Sequence, residues 1–195
     1  MPGRSQSVAI VAIFTALIVG SDFVMAGMAN VKLLDSLVFL AAYLFGFRIG
    51  ASVGVLSEFI WAYATPWGSP GFIAPFLVLG EVIFALAGHV ASRIWAGEHL
   101  FNSGISVAMG GLLAVCAVLW DLETEFGTAL IAFWPSVTLE KYVGTVLLGL
   151  PFTLAHELSD FLFGIFLVPT IVVMILRFGL SHNLGLKPAS AKGSS

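Results

Sequence analysis

Charge is scarce in this sequence. Of 195 residues, eight are Lys or Arg and eleven are Asp or Glu, 10% in all, and no basic run or basic–aromatic interleaving occurs. That excludes the electrostatic footprint of a DNA- or RNA-binding surface, so no nucleic-acid partner is expected. The single cysteine, Cys116, excludes an intrachain disulfide framework and any CxxC redox or metal motif. Lying in an apolar segment, it reads as a packing residue. No GxxxxGK[ST] phosphate loop is present, so ATP hydrolysis would belong to another chain. What is abundant is apolar surface: 59% of residues are hydrophobic and the mean hydropathy is +1.04, well outside the range of soluble domains. The chain reads as an integral membrane protein.

A hydrocarbon core of ~30 Å needs about 20 helical residues. Counting apolar runs on that basis gives six spans: Val8 to Met28, Leu33 to Phe47, Ile49 to Thr65, Phe72 to Ile94, Ile105 to Trp120 and Leu150 to Leu176. The second and third are separated only by the turn around Arg48, so they form an antiparallel hairpin. The second is short and suits a tilted or partly interfacial helix. Asp121 to Gly149 is too polar at its start and too apolar at its end for a plain connection, and is expected to be an extracytoplasmic segment with a short helix or re-entrant turn. The expected fold class is an all-α, six-helix transmembrane bundle over residues 1–177, followed by a polar tail, 178–195.

Orientation follows from Lys and Arg, which are retained on the cytoplasmic side. With both termini inside, Arg4, Arg48, Arg93, Arg177, Lys187 and Lys192 are cytoplasmic and only Lys32 and Lys141 are outside. The first span also has the look of a signal peptide cleaved after Ala29, but removing it would put Arg48 and Arg93 on the wrong side. A multi-pass plasma-membrane protein is the expectation.

The acids then fall at one depth. Asp22, Glu58 and Glu81 lie between the midplane and the outer surface, and His156, Glu157 and Asp160 lie six to ten residues into a span entered from outside. Intramembrane carboxylates normally face a bundle interior or a water-filled cavity and mark a ligand or ion path. Glu58, Trp61 and Thr65 share one helical face, as do His156 and Asp160. The loop "PWGSPGF", Pro66 to Phe72, has the composition of a shaped lid. The candidate substrate-binding set is therefore Asp22, Glu58, Trp61, Glu81, His156, Glu157 and Asp160, an anionic and aromatic wall suited to a cationic or amine-bearing solute. Each acid has a plainer reading as a helix cap or cross-link. Trp67, Trp120 and Trp134 read as interfacial belt residues, Asp121, Glu123, Glu125 and Glu140 as solvated loop charges, and His89 and His99 as interfacial. Asp35 falls at the outer boundary.

Small residues recur in register in the inner half. Ala9, Ala12, Ala16 and Gly20 on the first helix, and Gly46, Gly50 and Gly54 across the first cytoplasmic turn, allow close approach of helix backbones. Internal packing of the bundle and a surface for another membrane subunit both fit this pattern.

With Ala12-xxx-Ala16, "NVKLLDSLVFLAAYLFGFRIGASVGVLSEFIWAY" and "PWGSPGFIAPFLVLG", the chain resembles the S components, the substrate-binding membrane subunits of energy-coupling factor transporters. The likeness covers roughly Ile10 to Arg93; the last helix fits loosely, and the segment after Asp121 departs from the plainest members. The resemblance implies a high-affinity capture protein for a vitamin or similar micronutrient, with its pocket near the outer side. It implies docking through Ala12 and Ala16 onto a transmembrane coupling subunit that works with two cytoplasmic ATPases. No cofactor is implied, and the chain itself would not be an enzyme. The histidine that cobalt- and nickel-uptake relatives carry directly after Met1 is missing, which disfavours metal uptake, and no metal-binding residue is expected. Two other classes compete: another small transporter or channel subunit, and an intramembrane metalloenzyme built on "HELSD". The latter departs from HExxH at Asp160 and has no evident third ligand.

Overall fold

The computed structural model describes residues 2–95 and 102–178. The expected tail from 179 onward, with Lys187 and Lys192, and His99 lie outside the described residues. Among those described there are six α-helices and no strand: α1 (Arg4–Met25), α2 (Leu34–Phe45), α3 (Phe47–Ala64), α4 (Ala74–Ile94), α5 (Ser103–Phe133) and α6 (Leu139–Arg177). A 3-10 turn, Gly71–Ile73, leads into α4. α1, α5, α6, and α4 with its leading turn are long and apolar enough to cross a membrane.

α2 is the centre of the molecule. Ten of its twelve residues are buried, including Phe39 at 0% exposure, because "LDSLVFLAAYLF" is apolar on every face. It packs on α3, α4 and α6. Gly46 joins it to α3 at φ +93°, a left-handed conformation that a side chain would strain, so the Phe-Gly-Phe step makes the sharp reversal. Close crossings are made where glycines remove bulk. A Cβ on Gly88 of α4 would strike the carbonyl oxygen of Phe39, and one on Gly164 of α6 would lie 2.6 Å from Cα of Gly110 on α5. Such contacts replace hydrophobic driving force when lipid is the solvent.

The small-residue register divides. Gly50 meets Ala42 and Gly54 meets Val38 and Glu81, so those two are internal packing. Ala9, Ala12, Ala16 and Gly20 are all exposed, and α1 buries only Thr15, Ile18 and Asp22. Ala12 and Ala16 line a wide apolar groove between α1 and α3, with Val8, Val11, Ile49 and Leu56.

The piece from Asp121 to Gly149 is neither a loop nor a re-entrant turn. α5 runs on through it to Phe133, a turn follows with Ser136 N–H bonded to Phe133 O at 2.7 Å, and α6 starts at Leu139. The buried stripe of α5 explains this: Leu113, Ala117, Trp120 and Asp121 stay on one face and Gly127 continues it, packed on the ring of Phe76. α5 and α6 have 31 and 39 residues, about 46 and 58 Å, so their hairpin exceeds a ~30 Å hydrocarbon layer. His156 accordingly stands seventeen residues after Leu139, near the middle of α6 rather than close to its start.

Candidate functional site

Arg4, Arg48 in the first turn of α3, and Arg93 fall at one end of the bundle, since α1 and α3 begin together beside the apolar groove and the Tyr43 hydroxyl near the end of α2 donates to the carbonyl of Trp95 after α4. A polar cavity lies at the opposite end. Its walls are the last turns of α1, the link to α2, the C-terminal part of α3, the 67–70 loop and the start of α4, with Trp120 of α5 among them. Its volume is about 210 Å3, below the ~300 Å3 at which pockets for drug-sized ligands begin.

Of the candidate residues, Asp22, Glu58 and Trp61 line this cavity. Asp22 is 1% exposed, and its Oδ1 accepts from the backbone N–H of Leu33 at 3.2 Å, which ties the end of α1 to the start of α2. Glu58 is 2% exposed and its Oε2 is 3.4 Å from Nζ of Lys32. Lys32, expected in the outer loop, is itself buried, and its ammonium also lies 4.9 Å from the centre of the Trp120 ring. Burial opposes that charge, but Glu58, Asp35, Glu81 and Asp22 outweigh the opposition and raise the Lys32 pKa above its ordinary value. Trp61, edge-on to Phe23 at 5.4 Å between centroids, and the exposed Trp67 add aromatic wall.

The other candidates do not line the cavity. Glu81, His156 and Asp160 are 0% exposed and belong to a second cluster inside the bundle. His156 is its hub: Nδ1 is 3.0 Å from Oδ2 of Asp121, and Nε2 is 3.2 Å from Oδ2 of Asp35 and 3.8 Å from Oδ2 of Asp160. The imidazole is also edge-on to Trp120 at 5.3 Å. Trp120 thus stands between the two clusters, and its Nε1–H donates to the carbonyl of Leu77 at 3.2 Å. Glu157 is only half buried and stands apart from the cavity lining.

Three readings from sequence change here. Asp121 is buried in the core cluster instead of solvated in a loop. Asp35 is 0% exposed, and Trp120 is 4% exposed, so it is no belt residue. Trp134, by contrast, is 74% exposed at the far turn. The signal for Asp121 was its place four and eight residues beyond Ala117 and Leu113, on the same helical face. Asp35 and Lys32 gave no comparable signal, because their partners lie 121 and 26 residues away.

Three residues of the core cluster, Asp35, His156 and Asp160, each place one metal-ligating atom within 4.8 Å of the others. No protein-family profile, curated protein or solved structure matches the chain.

Proposed function

We propose that this chain is the substrate-capture subunit of an energy-coupling-factor type uptake transporter, taking up a vitamin or similar micronutrient that bears an amine or other cationic group. In this reading all six helices span the plasma membrane, both termini are cytoplasmic and the polar cavity opens outward. One observation carries the proposal: a small cavity lined by two carboxylates and three tryptophans, at the end of the bundle away from Arg4, Arg48 and Arg93. A carboxylate pair set against aromatic rings attracts a desolvated amine by charge and by cation–π contact. Lys32 is paired with Glu58, so an incoming amine would take over part of the role that this ammonium plays. The loop bearing Trp67, Gly68 and Pro70 forms one side of the mouth, where a capture protein needs an element able to cover its solute.

The inner partners in this reading are a transmembrane coupling subunit and two ATPases. Support comes from the exposed Ala9, Ala12, Ala16 and Gly20 register beside an apolar groove. Small exposed residues give another helix close approach.

The test has two steps. Mass spectrometry of the detergent-purified protein identifies the retained solute, and calorimetry then measures its binding to Glu58→Gln and Asp22→Asn. Losing one member of a desolvated charge pair typically costs ~2–5 kcal/mol, so at least about tenfold weaker binding is expected. A retained anion, or unchanged affinity in both variants, refutes the proposal.

A further inference from the structure

We propose that Asp35, His156 and Asp160 form a resident site for a divalent transition-metal ion of the zinc type, with Asp121 orienting the imidazole. The site is distinct from the cavity: none of these four residues lines it.

The argument begins with the two nitrogens of His156. A neutral imidazole has one N–H and one lone pair. Nδ1 faces Oδ2 of Asp121 at 3.0 Å, a normal distance for donation to a carboxylate. That leaves Nε2 as the lone-pair nitrogen, and it faces Asp35 at 3.2 Å and Asp160 at 3.8 Å. A lone pair held against two carboxylates is repulsive unless a cation, a metal ion or a proton on Nε2, lies between them.

Asp160 supplies a second, independent observation. It is 0% exposed, yet neither of its oxygens has a hydrogen-bond partner, and Oδ2 is the oxygen turned toward Nε2. A buried carboxylate in this condition is costly without a counter-charge. Lys32 makes its ion pair with Glu58 at 3.4 Å and none with Asp160.

Geometry and chemistry agree on the ion. Ligands about 2.0–2.1 Å from a tetrahedral centre stand about 3.3–3.4 Å apart. The Nε2–Asp35 and Nε2–Asp160 separations of 3.2 and 3.8 Å bracket that value, and with all three ligand atoms within 4.8 Å of one another the two carboxylates need only draw together around an ion to close the site. One imidazole with two carboxylates suits zinc or manganese better than sodium or magnesium, which prefer oxygen alone. A carboxylate holding the other ring nitrogen is the usual outer partner of a metal-bound histidine, and Asp121 has that place. The ion would clamp α2 to α6 in the middle of the bundle.

The test uses the full chain, carrying a tag without histidine and purified in detergent without chelator. Metal content is read by plasma mass spectrometry, before and after stripping and reloading with Zn2+, Mn2+, Mg2+ or Na+. Expected are about one zinc per chain and a thermal midpoint that rises on reloading. His156→Gln and Asp160→Asn should reduce zinc to trace, and Asp121→Asn should weaken it about 10- to 100-fold. Asp22→Asn and Glu58→Gln should leave it unchanged. Should the cluster variants fail to fold, cobalt-loaded wild type decides: visible bands and an X-ray absorption shell with one imidazole support the site. Folded wild type that takes up no zinc or manganese, or an Asp160→Asn protein that binds as well as wild type, overturns it and leaves a proton as the shared cation. Because no solute enters these measurements, zinc binding without solute capture would refute only the transport reading, and the reverse only this one.

Discussion

Replacing Lys32 with methionine is the sharpest single test of how the cavity end is held together. The methionine keeps an unbranched stem of similar length and removes only the charge. The ammonium lies 3.4 Å from Glu58 and 4.9 Å from the Trp120 ring centre, in a place where Lys32 is 8% and Glu58 2% exposed. At that separation, and with an effective dielectric constant of ~20, the gross attraction is about 5 kcal/mol. Removing one partner of a buried pair strands the other charge, and measured losses are about 3–5 kcal/mol. For a chain of this size that corresponds to a fall of roughly 6–20 °C in thermal midpoint. The assay is thermal unfolding in detergent followed by tryptophan fluorescence, with Lys32→Met, Glu58→Gln and the double variant compared. The double variant should recover at least half of the Lys32→Met loss, because it no longer buries an unpaired carboxylate. The sign of the pH effect also follows. The folded-state value for Lys32 is raised above its ordinary 10.5, so its contribution is fully present below about pH 10 and is lost only as the pH climbs beyond. A Lys32→Met protein as stable as wild type, or a double variant worse than either single, would refute the reasoning.

Further expectations are independent of that pair. Gly88→Leu should abolish monodisperse protein on size exclusion, since even its Cβ strikes the Phe39 carbonyl, whereas Gly20→Leu, with nothing within 4 Å, should fold normally. Ala12→Leu with Ala16→Leu should leave stability and solute retention of the isolated chain within error, both residues being exposed, and abolish co-purification with coupling partners; normal yield of the complex would remove the docking assignment. Trp120→Phe should cost about 1 kcal/mol for the lost bond to Leu77 O, and somewhat more from the weakened stacking of Lys32, read as a lower unfolding midpoint. Glu157→Gln should leave solute affinity within about twofold in calorimetry, because the side chain stands away from the cavity; a tenfold loss would show that it reaches the ligand.

Much of the helical order was legible from apolar runs and punctuation. The runs beginning near Val8, Leu33 and Phe72 match α1, α2 and α4 within a few residues at most ends, and the hairpin between α2 and α3 is there, though it turns at Gly46 and Arg48 already lies in α3. "DLETEF" misled because a hydropathy count treats every acid as solvent-facing. Asp121 is held on the buried face of α5 by His156, 35 residues further on, and Glu123 and Glu125 follow it within the same continuous helix. The candidate site was legible as a set of intramembrane titratable groups, but not as two clusters. Sequence spacing places Glu58 with Trp61 on one helix, yet nothing in it says that Lys32 closes over Glu58, or that the partners of His156 are Asp35 and Asp121. Those are contacts between helices, fixed by packing.

The burial of α2 bears on how the protein is made. At twelve residues, about 18 Å, α2 is too short to cross the lipid alone, and α3 carries Glu58 twelve residues into its eighteen. A carboxylate near a helix centre adds roughly 2.5–3.5 kcal/mol to insertion. In the six-span arrangement the two must therefore enter as one hairpin, drawn in between α1 and α4. Asp35 then waits: its partner His156 is synthesised 121 residues later, on the last helix. Until α6 leaves the ribosome, the nascent bundle holds an acid at its centre without its match. A chain cut short before α6 would leave Asp35 without His156 and α2 without one of the helices it packs on, so the core around α2 is complete only when the last helix is in place.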